Sequence, residues 1–256
     1  MRVGPVIMMG LLLVICASAA IAAPTEIVIR VIAKDAKFIG HDDTGGVQIT
    51  LRDADTGELL AQGVTTGGNG RTAKIMTDGH ARRDTLSEGA AKFSATLDLQ
   101  RPRRIQVTAT GPMLPKGAAM TVTSTQWVLP GKPVNGGDGW VLEMPGFAIA
   151  LADPIPASVQ LNGKETKISI QARIAMQCNC PITPGGLWDT NKFQLGAMLE
   201  KDGKTSSSTP LAYAGRPSMF RGEITIAEPG NYTVDVFAYD PTNGNTGLIK
   251  VPLSVR

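Results

Sequence analysis

Short apolar–polar alternations, cut at close intervals by glycine and proline, constrain this chain more than any other feature of its sequence. Glu26–Ala33, EIVIRVIA, repeats on a period of two and is rich in Ile and Val. A strand shows that period because successive side chains point to opposite faces, whereas a helix would repeat every 3.6 residues or so, about one turn. The signature returns in Lys92–Leu99, Arg104–Gly111 and Met120–Pro130, and again in Thr166–Met176, Ser218–Ile226 and Asn245–Val255. With 29 glycines and 17 prolines, many of them between these runs, the sequence predicts many short strands joined by tight turns. The fold class that follows is all-β.

Gly45–Thr66 reads as a hairpin. Val47, Ile49 and Leu51 share one face, Asp55-Thr56-Gly57 turns the chain, and Leu59–Val64 returns. Asp tolerates turn geometry and Gly supplies the positive φ. Gly67–Ala91 is polar and Gly-rich without a clean period, and is expected to be a long loop with at most one helical turn. Leu151–Ser158, LADPIPAS, places Pro154 and Pro156 close together, as a stiff connector would. The expected organisation is therefore a β-sandwich over 24–150 and a second over 157–256. In the second, Asn162-Gly163 and Asp202-Gly203 mark turns, and Ala227–Asp240 is a turn running into a strand.

Glu228-Pro229-Gly230-Asn231-Tyr232-Thr233-Val234, followed by Ala238-Tyr239-Asp240, resembles the corner of bacterial immunoglobulin-like β-sandwich domains. The resemblance spans residues 157–255 and implies that Tyr232 tucks its hydroxyl against the corner. The Cys…Trp…Cys spacing of antibody domains is absent. Val47–Thr66 resembles, over that segment alone, the carboxypeptidase-regulatory and transthyretin-like sandwiches. Neither resemblance implies an activity, since such folds host many roles.

Arg2, an apolar run over Val6–Cys16 and the small-x-small triplet Ala20-Ile21-Ala22 read as a signal peptide over 1–22. The run falls short of the roughly 20 apolar residues of a membrane span, so no stable span is expected after cleavage. Leu13-Val14-Ile15 lack the small residue that precedes a lipidated cysteine, so Cys16 does not suggest a lipoprotein. The expected location is periplasmic or secreted. A formal net charge of +3 with scattered Lys and Arg gives no reason to expect nucleic acid as a partner.

Export gives weight to MQCNCPITPGGLWD, residues 176–189, because an oxidising compartment does not leave neighbouring thiols idle. Cys178 and Cys180 admit three readings: a disulfide staple, a redox dithiol, or a soft-metal site. Copper(I) is the ion that two thiolates and the Met176 thioether would select. Zinc wants four ligands, and His41 and His80 both lie in the other half. No other cofactor is expected. In an immunoglobulin-like sandwich the loop after Thr166–Met176 and the loop before the last strand share an end. Trp188, Asp189, Asp240, Asn243 and Asn245 are thereby nominated as one ligand- or partner-binding surface, since loops on a rigid sandwich tend to carry binding. The structural alternative for the same stretch is that Pro181, Pro184, Gly185 and Gly186 shape the loop and Trp188 plugs the core. Asp240, Asn243 and Asn245 lack the distal Glu of a calcium loop and read as a turn. Gly68–Ala73, GNGRTA, matches a dinucleotide fingerprint in letters only, with no buried parallel strand ahead of it.

No catalytic residue is nominated. His41 sits beside Asp42 and Asp43, and His80 between Asp78 and Asp84, but no nucleophile motif accompanies either. Gly-x-Ser-x-Gly, His-Glu-x-x-His and the P-loop pattern are absent. The function expected is an exported, non-catalytic binding or interaction protein of the cell envelope, with an envelope protein or small ligand as its partner. The alternative is a copper-handling or thiol-redox accessory protein using Cys178 and Cys180.

Overall fold

A computed structural model describes residues 23–161 and 163–256. The expected signal peptide and Asn162, half of one expected turn, lie outside the described residues. The first half contributes β1 (Ala23–Ala33), β2 (Gln48–Asp53), β3 (Leu59–Val64), β4 (Thr66–Asn69), β5 (Ala90–Leu99), β6 (Arg103–Gly111), β7 (Met120–Val128) and β8 (Trp140–Met144). The second contributes β9 (Phe147–Leu151), β10 (Ser158–Val159), β11 (Thr166–Met176), β12 (Ile182–Thr183), β13 (Trp188–Asp189) and β14 (Gln194–Lys201). It continues with β15 (Lys204–Pro210), β16 (Ala212–Tyr213), β17 (Met219–Ile226), β18 (Gly230–Tyr239) and β19 (Thr246–Val255). The all-β class is what the alternating runs require.

In the first sandwich the sheets run β4-β5-β1-β8 and β3-β2-β6-β7. β1 is antiparallel to β5 and parallel to β8. Val47, Ile49 and Leu51 turn inward as their spacing dictates and are fully buried with Ile27, Ile29, Ile105 and Val107. The segment expected as a loop adds the edge strand β4 and one π-helical turn, Ala73–Thr77. That turn sets Ile75 into a small cluster with Phe38 and Ala90.

In the second sandwich the sheets run β10-β19-β18-β14-β15 and β16-β17-β11-β9. The first strand is split, β9 pairing with β11 and β10 lying parallel to β19. This is the immunoglobulin-like strand order. The Tyr232 hydroxyl donates to the Glu228 carbonyl at 2.9 Å and closes the corner.

β8 pairs with β1 and β9 with β11, so strand pairing passes from one pair of sheets to the other at Pro145-Gly146. Phe147–Leu151, placed with the first sandwich by the 24–150 boundary, is antiparallel to β11. Its alternation is hidden because both faces are covered: Phe147 and Ile149 face the core, while Ala148 packs with Ala118 and Ala175. Ala118 belongs to the first sandwich, so the two units meet through small side chains on the outer face of β9 and β11. The main apolar cluster is continuous from Ile27 to Val255. No helix among the described residues is long and apolar enough to cross a membrane.

Candidate binding site

Cys178 and Cys180 form a disulfide with an S–S distance of 2.05 Å. The bond closes a turn that leaves β11: Asn179 donates its backbone N–H to Met176 and adopts φ 64°, and Met176 donates to the Cys180 carbonyl. Both cysteines and Met176 are buried. Within the disulfide neither sulfur is a thiolate, so a copper(I) site on these residues would require the reduced pair. Burial also restricts thiol–disulfide exchange, which needs an attacking thiolate to reach a sulfur. The turn is a docking ledge for the first sandwich: Asn69 donates to the Cys178 carbonyl at 2.8 Å, and Gln177 to the Ala118 carbonyl at 2.8 Å.

The two nominated loops emerge at one end of the second sandwich, and that end faces the first. Met176, Trp188, Asp240 and Asn243 line one cleft of about 390 Å³ together with Asp35 and Met76 of the first sandwich. Each of these polar groups already has work within the fold. Trp188 is buried and its indole N–H donates to the Asp35 carbonyl at 3.1 Å. Asp240 accepts from the Thr242 backbone and hydroxyl and from Asn243. Asn243 also donates to the Asp35 carboxylate, and its carbonyl accepts from Lys34 Nζ at 3.1 Å.

Asp189 and Asn245 do not line that cleft. Asp189 caps the turn Thr190–Lys192, and backbone N–H groups of Asn191 and then Gly185 hold its carboxyl below the ordinary aspartate value. Asn245 is buried and pairs with Gly146 through both ends of its amide, accepting from the N–H at 2.7 Å and donating to the carbonyl at 3.2 Å. It thus extends the sheet sideways onto the crossing between the halves. His41 and His80 are exposed.

A larger groove, of about 640 Å³, opens beside this cleft and was not legible as a site in the sequence. Phe193 borders both. Its walls come from the start of β14, the end of β15, β16 and β18, elements far apart along the chain. Phe193, Tyr213, Phe220 and Phe237 supply aromatic surface; Phe220 is buried and the other three are half-buried. Phe237 lies over Gly196, where a β-carbon would stand 2.7 Å from the ring, so only glycine lets the ring settle on the sheet. Asn191, Gln194, Ser208 and Thr209 form a polar rim. The one sequence signal for this groove was the unusual Gly196 opposite Phe237, which becomes meaningful only with the strand register.

No protein-family model matches the chain, and no curated protein matches it. Among solved structures it is similar to an engineered protein (14% identity, TM-score 0.31), which aligns with 50% of this chain and of which 24% is covered. It is also similar to the fibronectin(III)-like modules of Clostridium thermocellum CbhA (13% identity, TM-score 0.27, 91% of this chain and 94% of that one). A third is the titin Z1Z2 pair in complex with telethonin (14% identity, TM-score 0.24, 91% and 95%). At these scores the fold assignment rests on the strand order above.

Proposed function

We propose that this chain is an exported, non-catalytic binding protein of the cell envelope, periplasmic or secreted, whose ligand or partner occupies the aromatic groove of the second sandwich. The observation that carries the reading is the groove itself: half-buried rings with an uncharged polar rim on a rigid double sheet. Sites that bind without chemistry combine apolar walls with a few oriented polar groups in this way. A disulfide at Cys178–Cys180 supports an oxidising compartment, as does the leader-like run over 1–22.

The test is amide chemical-shift mapping of the chain from Ala23 onward. Separate titrations use neutral and anionic hexasaccharides, an uncharged hexapeptide and an acyl-chain micelle. Saturable shifts centred on Thr190–Leu195, Ser208–Tyr213 and Phe237 are expected with one class. If no class perturbs those segments, the groove is not a binding site and the reading falls.

A further inference from the structure

The groove can be read for the kind of ligand it would accept, an inference that rests on its being the binding site. None of its lining residues is Asp, Glu, Lys, Arg or His. The neighbouring surface is different: the inter-sandwich cleft carries Asp35, Lys192 and Asp240, and the cleft around His80 carries Arg71, Lys74, Asp78 and Glu88. Neutrality is therefore a local property in a chain that is 18% charged. A ligand charge sequestered here would lose water without gaining a counter-ion, which is costly, so electrostatic complementarity selects an uncharged ligand.

The rim narrows the class further. Among the described residues, the side chains of Gln194, Ser208 and Thr209 make no hydrogen bond within the chain, and the Asn191 amide, which bonds the Asp189 carboxylate, keeps a further donor and acceptor. Each amide or hydroxyl both donates and accepts, which suits a ligand whose own groups do both. Sugar hydroxyls are such groups, and the C–H faces of a pyranose ring are apolar enough to rest on an aromatic ring. Phe237, held against the sheet over Gly196, and Tyr213, edge-on to Phe220 at 6.0 Å, supply that aromatic surface. An extended peptide has different needs. Its backbone groups would be met by the edge of β15, which ends its sheet. Ser208, Thr209 and Pro210 of that strand line the groove, so a peptide is the competitor against which the saccharide is tested.

We infer that the groove binds a neutral oligosaccharide, with sugar rings on Phe237 and Tyr213 and hydroxyls on the Asn191, Gln194, Ser208 and Thr209 side chains. The volume, about 640 Å³, lies inside the range of roughly 300–1,000 Å³ typical of small-molecule sites, so a short stretch of chain is engaged.

The experiment is calorimetric and NMR titration of the leaderless chain. The probes are maltohexaose, cellohexaose, xylohexaose and chitohexaose in its N-acetylated form. An oligogalacturonate and a blocked Thr/Val hexapeptide serve as the anionic and peptide arms. The expected result is saturable binding of at least one neutral hexasaccharide, with shifts at the four rim residues. Phe237→Ala should weaken it at least tenfold. Gln194→Ala, an exposed rim change that leaves the core alone, should weaken it severalfold with an unchanged urea midpoint. Binding by the peptide at these residues, with every neutral saccharide silent, overturns the saccharide inference and leaves the binding reading standing. Equal binding of the oligogalacturonate overturns the argument from neutrality. Saccharide binding that neither variant weakens overturns the location. Silence of every probe at the groove overturns both this inference and the binding reading.

Discussion

Single side chains in this protein act mainly by completing backbone that the strands leave unpaired. Asn245 is the clearest case, since its amide stands in for a strand at Gly146. Asn245→Ala would strand a buried N–H and a buried C=O, each costing about 1–3 kcal/mol, and should lower stability by roughly 2–4 kcal/mol in urea unfolding. A loss under about 0.5 kcal/mol would mean that solvent satisfies Gly146 and that the clamp is incidental. Asp53 performs a similar task in the first hairpin, where it accepts from the Asp55 and Thr56 N–H groups at 2.9 and 3.0 Å. These bonds, Thr56 first, hold its carboxyl below the ordinary value of 3.8. A depressed carboxyl contributes stability that is present above that ordinary value and is lost as pH falls through the lower folded value. NMR titration should therefore place the Asp53 midpoint below 3.8, and Asp53→Asn should flatten the acid limb of the stability profile. A midpoint at or above the ordinary value would contradict the capping role.

Among the elements, the turn after β11 bears most on the joint. The disulfide closes a loop with a sequence separation of only 2, so the chain entropy it removes from the unfolded state is small. Cys178→Ala with Cys180→Ala should cost about 1–2 kcal/mol, at the low end for a disulfide. The larger effect should be local. Asn69 and Ala118 bond to this turn, so amide exchange should rise around Lys116–Ala118 and at Asn69 more than in β18. Uniform exchange across the chain would instead make the bond a staple of the whole sandwich. β9 and β15 are among the strands that escaped the sequence, and they did so for opposite reasons. β9 is covered on both faces and loses its alternation, while β15, KTSSSTP, is a polar edge with no apolar face to alternate.

At the scale of the whole molecule, one apolar cluster runs through both sandwiches. Met144 and Phe147, on either side of the crossing, are both buried in the main cluster. The intact chain should unfold in urea as one transition, coincident by tryptophan fluorescence and far-UV circular dichroism. A fragment beginning at Phe147 should be markedly less stable than the same strands in the full chain, because Ala148 and Ala175 lose their cover. Two separated transitions, the second matching the isolated fragment, would show that the joint contributes little.

The sequence by itself determined the local conformations. Period-two runs made strands of β1, β2, β5–β7, β11 and β17–β19, because only a strand sends alternate side chains to one face. Asp55-Thr56-Gly57 and Asp202-Gly203 turned the chain, with Gly57, Asp202 and Gly203 all at positive φ. The Tyr232 corner was implied by the resemblance to immunoglobulin-like domains, and it is local, since the hydroxyl bonds a carbonyl only four residues back. The nearness of Met176 to Asp240 was implied by the strand order of the resembled immunoglobulin-like sandwich, but the fact that this end is occupied by Asp35, Asn69 and Ala118 was not. Only the tertiary structure decided that. It also decided which residues form the groove, because Phe193, Ser208, Tyr213 and Phe237 converge through pairings between strands distant in sequence. A local pattern specifies what each strand does with its own two faces. It carries no term for which strand lies against it, and in this protein the candidate site is made of those neighbours.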